Sequence, residues 1–142
     1  LMDAYIFIKK DSTYLELAKK VIECRLKDRW KNGLIPNSLN NTMTHLDSLV
    51  DFAVSLRRYA EVSKEKEYFE VSDEIMEQTL KIHRGKKGYY THVSRQGNPI
   101  MLRVNTIAPK YNGLLLKGII NMLTLKERIY GNALLHDLFK DR

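Results

Sequence analysis

A chain of 142 residues with 44% hydrophobic and 29% charged residues has the size and composition of one globular domain. Its apolar runs fall short of the roughly 18 residues that a membrane-spanning helix needs, and its start lacks the pattern of a secretory leader. These features predict no membrane association and favour the cytoplasm. The single cysteine, Cys24, excludes an internal disulfide and a cysteine-rich metal site, and its apolar neighbours predict a packed thiol.

The net charge of +7 is unevenly distributed along the chain. Gln78 to Lys126 contains nine Lys and Arg residues and no Asp or Glu, so this segment carries +9 and the rest of the chain −2. One continuous basic segment therefore supplies the whole excess, and its sign favours an acidic partner.

The first predicted element is an amphipathic helix from about Tyr14 to Arg29, with Ser12 or Thr13 as its N-cap. The stripe that we expect to face the core comprises Leu17, Ala18, Val21, Ile22 and Leu26. A polar loop then leads into a helix at Thr44 to Tyr59, opened by Thr44 with Asp47 in a capping box. Its apolar residues nearly encircle the helical wheel, which predicts an inner helix with neighbours on several sides.

An outer helix from about Glu67 to His83 follows, and then a long connector, Lys86 to Asn105. Alternating residues in the connector predict one short β-hairpin, between Tyr89 to Val93 and Ile100 to Val104.

Two internal repeats support a plan of helical hairpins. In the first repeat, Thr44 aligns with Thr106, and the first inner helix falls on a second apolar stretch. This stretch predicts a second inner helix that starts after Pro109 and runs to about Leu125.

The second repeat relates the outer helices. Tyr14 aligns with Tyr68, so the first outer helix matches the next one, and a third outer helix at Tyr130 to Phe139 is cut short. We therefore predict an all-α fold of antiparallel helical hairpins in inner and outer layers, forming one domain over residues 1–142.

The predicted elements follow a fixed order: an inner apolar helix, a turn, an outer helix that begins with tyrosine, and then a glycine and a short strand hairpin. Three stretches show this order: Arg58-Tyr59 to Lys66-Glu67-Tyr68-Phe69, Gly88-Tyr89-Tyr90-Thr91-His92 to Gly97-Asn98-Pro99, and Lys110-Tyr111-Asn112-Gly113-Leu114-Leu115. This pattern resembles the (α/α) toroid, or six-hairpin, superfamily, which includes glycoside hydrolases, polysaccharide lyases and sugar epimerases. The resemblance implies a partial toroid, the C-terminal portion of a larger carbohydrate-active enzyme. It is a hairpin pattern rather than a motif, so it transfers no catalytic residue.

Two carboxylates on the first inner helix are candidates for catalysis. Asp47 and Asp51 are four residues apart and share a helix face, as the acid and base of a glycosidase could. The alternative is that Asp47 caps the helix and Asp51 pairs with a basic neighbour.

A second set of candidates lies in and after the long connector and contains cations, amides and phenols. Its members are Tyr89, Tyr90, His92, Arg95, Arg103, Asn105, Lys110, Tyr111 and Asn112. We expect Arg103 and Asn105 to hold a uronate carboxylate and Tyr90 or His92 to transfer a proton, with Asp47 as general acid. The alternative is a solvated basic connector whose tyrosines cover the ends of the core.

Both long connectors lead from an outer helix into an inner helix, so we expect Asn37 to His45 and Tyr89 to Asn112 to converge on one rim. There His45, Tyr89 and Tyr111 would contact substrate. His83 is interpreted as a residue that the dipole of an outer helix favours at its end.

The first functional hypothesis is a carbohydrate-active enzyme with an acidic polysaccharide as its candidate substrate. A non-catalytic helical-repeat module that binds a protein is the second, and a nucleic-acid-binding domain the third, although no helix carries a dense basic stripe. No HExxH, paired CxxC or phosphate-binding glycine loop is present, so we predict no metal and no cofactor. An incomplete set of hairpins also predicts self-association, or packing on missing hairpins.

Overall fold

The computed structural model describes Tyr5 and residues 11–37, 42–100 and 109–122. This part of the chain is mostly helical, with short antiparallel strands between the helices. In chain order its elements are α1 (Ser12–Lys27), β1 (Met43–His45), α2 (Leu46–Ser63), α3 (Glu67–Ile82), β2 (Arg84–Gly85), β3 (Gly88–Tyr89), β4 (His92–Ser94) and α4 (Pro109–Met122).

The central element is α2, which packs against α1, α3 and α4. Its buried side chains lie within about half of its circumference: Leu46, Leu49, Val50, Ala53, Leu56, Tyr59 and Ala60. The prediction that this helix has neighbours on several sides is confirmed. Helix α3 is tied to it by a buried hydrogen bond in which Ser72 Oγ donates to the Ala53 carbonyl at 2.8 Å.

The first helix differs from its predicted pattern. Its N-cap is Asp11, whose carboxylate accepts from the Thr13 amide at 3.0 Å, rather than Ser12 or Thr13. Of the expected stripe, Ala18 and Ile22 are buried and Leu26 is half-buried, while Leu17 and Val21 are exposed. Cys24 is also exposed, so the prediction of a packed thiol is wrong. The reason is that α1 meets α2 along a narrow face, which leaves its other side uncovered by the described part of the chain.

The start of α2 was predicted two residues too early. Thr44 lies in β1, and its hydroxyl donates to the Ile35 carbonyl at 2.8 Å, so it is not the cap of a capping box. The N-cap is His45, which makes no side-chain capping bond. The Leu46 amide, in the first turn of α2, donates to the Thr91 carbonyl at 2.9 Å, which joins the start of the helix to the other connector.

The strands also differ from the predicted hairpin in their pairing. β1 pairs antiparallel with β4, and β2 pairs antiparallel with β3. The return segment after the Gly97 turn contributes an isolated bridge from Pro99 to Val93 and a bond from the Ile100 amide to the His92 carbonyl at 3.1 Å. The rest of the predicted return strand lies outside the described residues. β4 therefore takes its main partner from the connector before α2, which lies far away in sequence.

The helix predicted as the second inner helix, α4, begins at Pro109, close to the predicted start, because proline fits the first turn of a helix. It lies so close to α2 that a Cβ atom added to Gly118 would stand 2.0 Å from Val50 Cγ1. The predicted end of this helix and the third outer helix, Tyr130 to Phe139, lie outside the described residues. Within the described ranges, no helix combines the length and apolarity needed to cross a bilayer.

Candidate functional site

The pairing of β1 with β4 brings the two long connectors together at the start of α2. His45 and His92 are directly opposite each other in this pairing. Beside them, Asn112 of α4 reaches the other part of the connector, where its Oδ1 accepts from the Tyr89 amide at 3.1 Å. The connectors that we expected on one rim thus meet at one end of α2.

The side chains of His45 and His92 form the centre of this site. Their rings are in edge contact, with centroids 4.0 Å apart and an interplanar angle of 75°. Each residue is half-buried and is held by a neighbour. The Asn37 amide donates to Nδ1 of His45 at 3.3 Å, and the Thr91 hydroxyl lies 2.8 Å from Nδ1 of His92. We call His45 and His92 the histidine pair.

The surroundings favour the neutral form of His45. Burial lowers the pKa of His45 below its usual value, the nearby His92 lowers it further, and Asp47 partly offsets both effects. Because Asn37 donates to Nδ1 of His45, the neutral ring carries its proton on Nε2. A neutral imidazole has one nitrogen that donates and one that accepts, which suits acid–base chemistry or hydrogen bonding to hydroxyl groups.

The predicted carboxylates occupy the first turns of α2. Asp47 is half-buried, its Oδ1 accepts from the Ser48 amide at 2.9 Å, and it is close enough to His45 to affect that pKa. Asp51 is exposed one turn further on. A carboxylate at a helix N-terminus is favoured by the helix dipole, so Asp47 also contributes to the start of α2.

The predicted tyrosines pack against the core. The ring of Tyr90 covers the turn between β2 and β3, where a Cβ atom on Gly85 would stand 2.9 Å from it. Tyr89 and Tyr111 are half-buried against the same core, and the Lys110 ammonium lies 5.7 Å from the Tyr111 ring centroid. Arg103 and Asn105, the predicted carboxylate ligands, lie outside the described residues.

The structure adds His83, which the sequence pattern assigned to a helix end where the dipole favours it. It is the C-cap of α3 and is fully buried, at 0% exposure. Burial lowers its pKa to about 4, and the neighbouring His92 and His45 add to this effect. A signal for its burial was present, since Ser72, Met76, Thr79 and His83 recur every three or four residues and share one helix face. Because three of these four residues are polar, the series does not read as a buried face in the sequence.

Chemistry in this part of the molecule rests on imidazoles, amides and hydroxyls. Within the described ranges, no three His, Cys, Asp or Glu side chains are arranged to hold a metal ion. Comparison with protein-family models, with curated proteins and with solved structures finds no match to this chain.

Proposed function

We propose that this chain is part of a carbohydrate-active enzyme of the (α/α) toroid type, and that the histidine pair lies in its sugar-binding site. The observation that carries the proposal is the edge contact of two half-buried imidazoles at the end of α2 where the two long connectors meet. The central position of α2 between α1, α3 and α4 is consistent with an inner helix of such a toroid.

The proposed chemistry divides the roles between the two rings. His92 transfers a proton at the carbon next to the substrate carboxylate or at the glycosidic oxygen, and His45 binds a hydroxyl group through its Nε2 proton. Asp47 acts as a general acid or holds His45 in place. The basic segment around the pair attracts an acidic glycan, and Arg103 with Asn105 is the proposed partner of its uronate group.

Binding of a uronic-acid oligosaccharide and of a neutral oligosaccharide of equal length, followed by calorimetry, tests the proposal. The expected result is preference for the acidic oligosaccharide, with a loss of about tenfold or more in His92→Gln and in Arg103→Ala. The matched control removes both exposed lysines of the turn between β2 and β3, Lys86→Ala with Lys87→Ala, and should bind nearly as well as the wild type.

Two results would contradict the proposal. Equal affinity for the acidic and neutral sugars would remove the acidic-glycan assignment. Equal losses in the lysine control and in His92→Gln would mean that the sugar is held by the general positive charge of the segment and not by the histidine pair.

A further inference from the structure

His83 makes three hydrogen bonds, one within α3 and two to the backbone of Tyr90. Its amide donates to the Thr79 carbonyl at 3.0 Å, and its carbonyl accepts from the Tyr90 amide at 2.8 Å. Its ring adds a third bond, in which Nδ1–H donates to the Tyr90 carbonyl at 2.7 Å. The backbone of Tyr90 is therefore bound at both its amide and its carbonyl by one buried histidine.

The bond to Tyr90 determines which nitrogen of His83 carries the proton. A carbonyl oxygen only accepts, so Nδ1 is protonated and Nε2 of the neutral ring has a lone pair. That Nε2 atom is buried and has no hydrogen-bond partner among the described residues. An unpaired buried acceptor costs about 1–3 kcal/mol, which a phenylalanine at this position would avoid. Filling the core is thus a poor explanation for a histidine here.

Tyr90 is connected to the histidine pair through the next two residues, Thr91 and His92. The Thr91 carbonyl accepts from the Leu46 amide at 2.9 Å and so fixes the first turn of α2, which follows His45 directly. The Thr91 hydroxyl lies 2.8 Å from Nδ1 of His92. A displacement of Tyr90 would shift both rings, which lie on paired positions of β1 and β4.

We propose that His83 is a positioning residue that sets the contact between His45 and His92 by fixing the backbone of Tyr90 through its Nδ1–H. This inference rests on the proposed function for its catalytic meaning, since it names the group that orients the histidine pair of the proposed sugar-binding site. The claim that His83 sets the contact between His45 and His92 does not depend on sugar binding.

The test uses three variants at one position and follows the ring protons of His45 and His92 by NMR titration without ligand. The side-chain nitrogen of asparagine stands near the place of Nδ1, that of glutamine near the place of Nε2, and phenylalanine fills the space with no donor. We expect His83→Asn to preserve the depressed pKa of His45. His83→Gln and His83→Phe should let it rise toward the ordinary histidine value as the pair separates and becomes more solvated.

The possible outcomes distinguish a positioning role of His83 from a role in filling the core. If phenylalanine preserves the His45 titration and asparagine alters it, or if all three variants titrate like the wild type, the proposal is overturned. An asparagine variant that does not fold while the phenylalanine variant does also overturns it. Calorimetry with the uronic-acid oligosaccharide on the same samples tests the proposed function separately, because a wild type with a depressed His45 pKa and no sugar binding defeats that function alone.

Discussion

At the scale of single residues, the molecule contains a histidine that burial keeps neutral. His83 has a pKa of about 4, chiefly because burial disfavours its charged form, with a contribution from His92 and His45. The unfolded chain, whose histidines have ordinary pKa values, binds more protons than the folded chain between pH 6.5 and about 4. Stability therefore decreases as the pH falls through this range and becomes independent of this group below it.

The expected size of that decrease is about 3 kcal/mol in the free energy of unfolding between pH 6.5 and pH 4. Urea denaturation at a series of pH values measures it. His83→Phe removes the titrating group and should show a clearly shallower slope, with a remainder from Glu65, whose pKa is lowered in the folded protein. A variant as acid-sensitive as the wild type would contradict the assignment to His83.

A second residue-scale feature is the buried phenol of Tyr59, at the end of α2 opposite the histidine pair. Its hydroxyl donates to Glu65 Oε1 at 2.6 Å, and Lys19 of α1 donates to Glu65 Oε2 at 2.5 Å. Burial raises the pKa of Tyr59 to about 12, and the bond to Glu65 adds to the effect. The Lys19 and Tyr59 bonds in turn lower the pKa of Glu65.

We predict that Tyr59→Phe lowers the free energy of unfolding at pH 7 by about 1 kcal/mol, because Glu65 loses a hydrogen-bond donor. Glu65→Gln should lose less in the Tyr59→Phe background than in the wild type, because the two side chains share one bond. Chemical denaturation of both single variants and the double variant measures this coupling. Fully additive losses would show that the bond contributes nothing to stability.

At the scale of elements, the contact between α2 and α4 depends on one glycine. A Cβ atom on Gly118 would stand 2.0 Å from Val50 Cγ1, and Val50 is buried on a helix and has little rotamer freedom. Gly113, one turn or more earlier on the same helix, has nothing within 4 Å of the place for a Cβ atom. The two glycines form a matched pair for the same substitution.

Gly118→Ala should therefore destabilise the protein by about 1–3 kcal/mol through overpacking. Gly113→Ala should stabilise it by about 0.5–1 kcal/mol, since alanine is the better helix former. Val50→Ala combined with Gly118→Ala should recover part of the loss. Thermal or urea denaturation of the three variants measures these changes in stability. Equal changes for the two glycine substitutions would argue against the close approach of α4 to α2.

At the scale of the whole molecule, apolar side chains remain exposed on α1 and α4. Leu17 is 48% exposed, Val21 is 50% exposed and Leu116 is 54% exposed, and Cys24 continues the first pair along α1. Together with the predicted incomplete set of hairpins, this pattern is consistent with the expectation that the chain self-associates. We predict a sedimentation coefficient that rises with protein concentration.

Charged substitutions on that face test the prediction. Leu17→Lys with Val21→Lys should reduce the concentration dependence and leave the free energy of unfolding of the monomer within about 0.5 kcal/mol, because these residues lie outside the core. A wild type that sediments as one compact species at all concentrations would contradict it.

The sequence by itself determined the helices, their approximate limits and the central position of α2. These features depend on local propensity and on apolar periodicity, which are readable over a few helical turns. It also indicated that the two long connectors would meet, because their place in the repeat puts them at the same end of the inner helices. His45, Asp47, Tyr90 and His92 were named on that basis, and the structure places them around the start of α2.

Only the tertiary structure decided which strand pairs with which and which polar residues are buried. The pairing of β1 with β4 joins segments that are separated in the chain by the whole of α2 and α3, and short strands leave no periodic signal strong enough to specify such a partner. The bond from the His83 ring to the Tyr90 carbonyl depends on the pairing of β2 with β3, which returns the chain to the end of α3. The exposure of Val21 has a similar origin, since the face of α1 that is buried depends on where α2 lies.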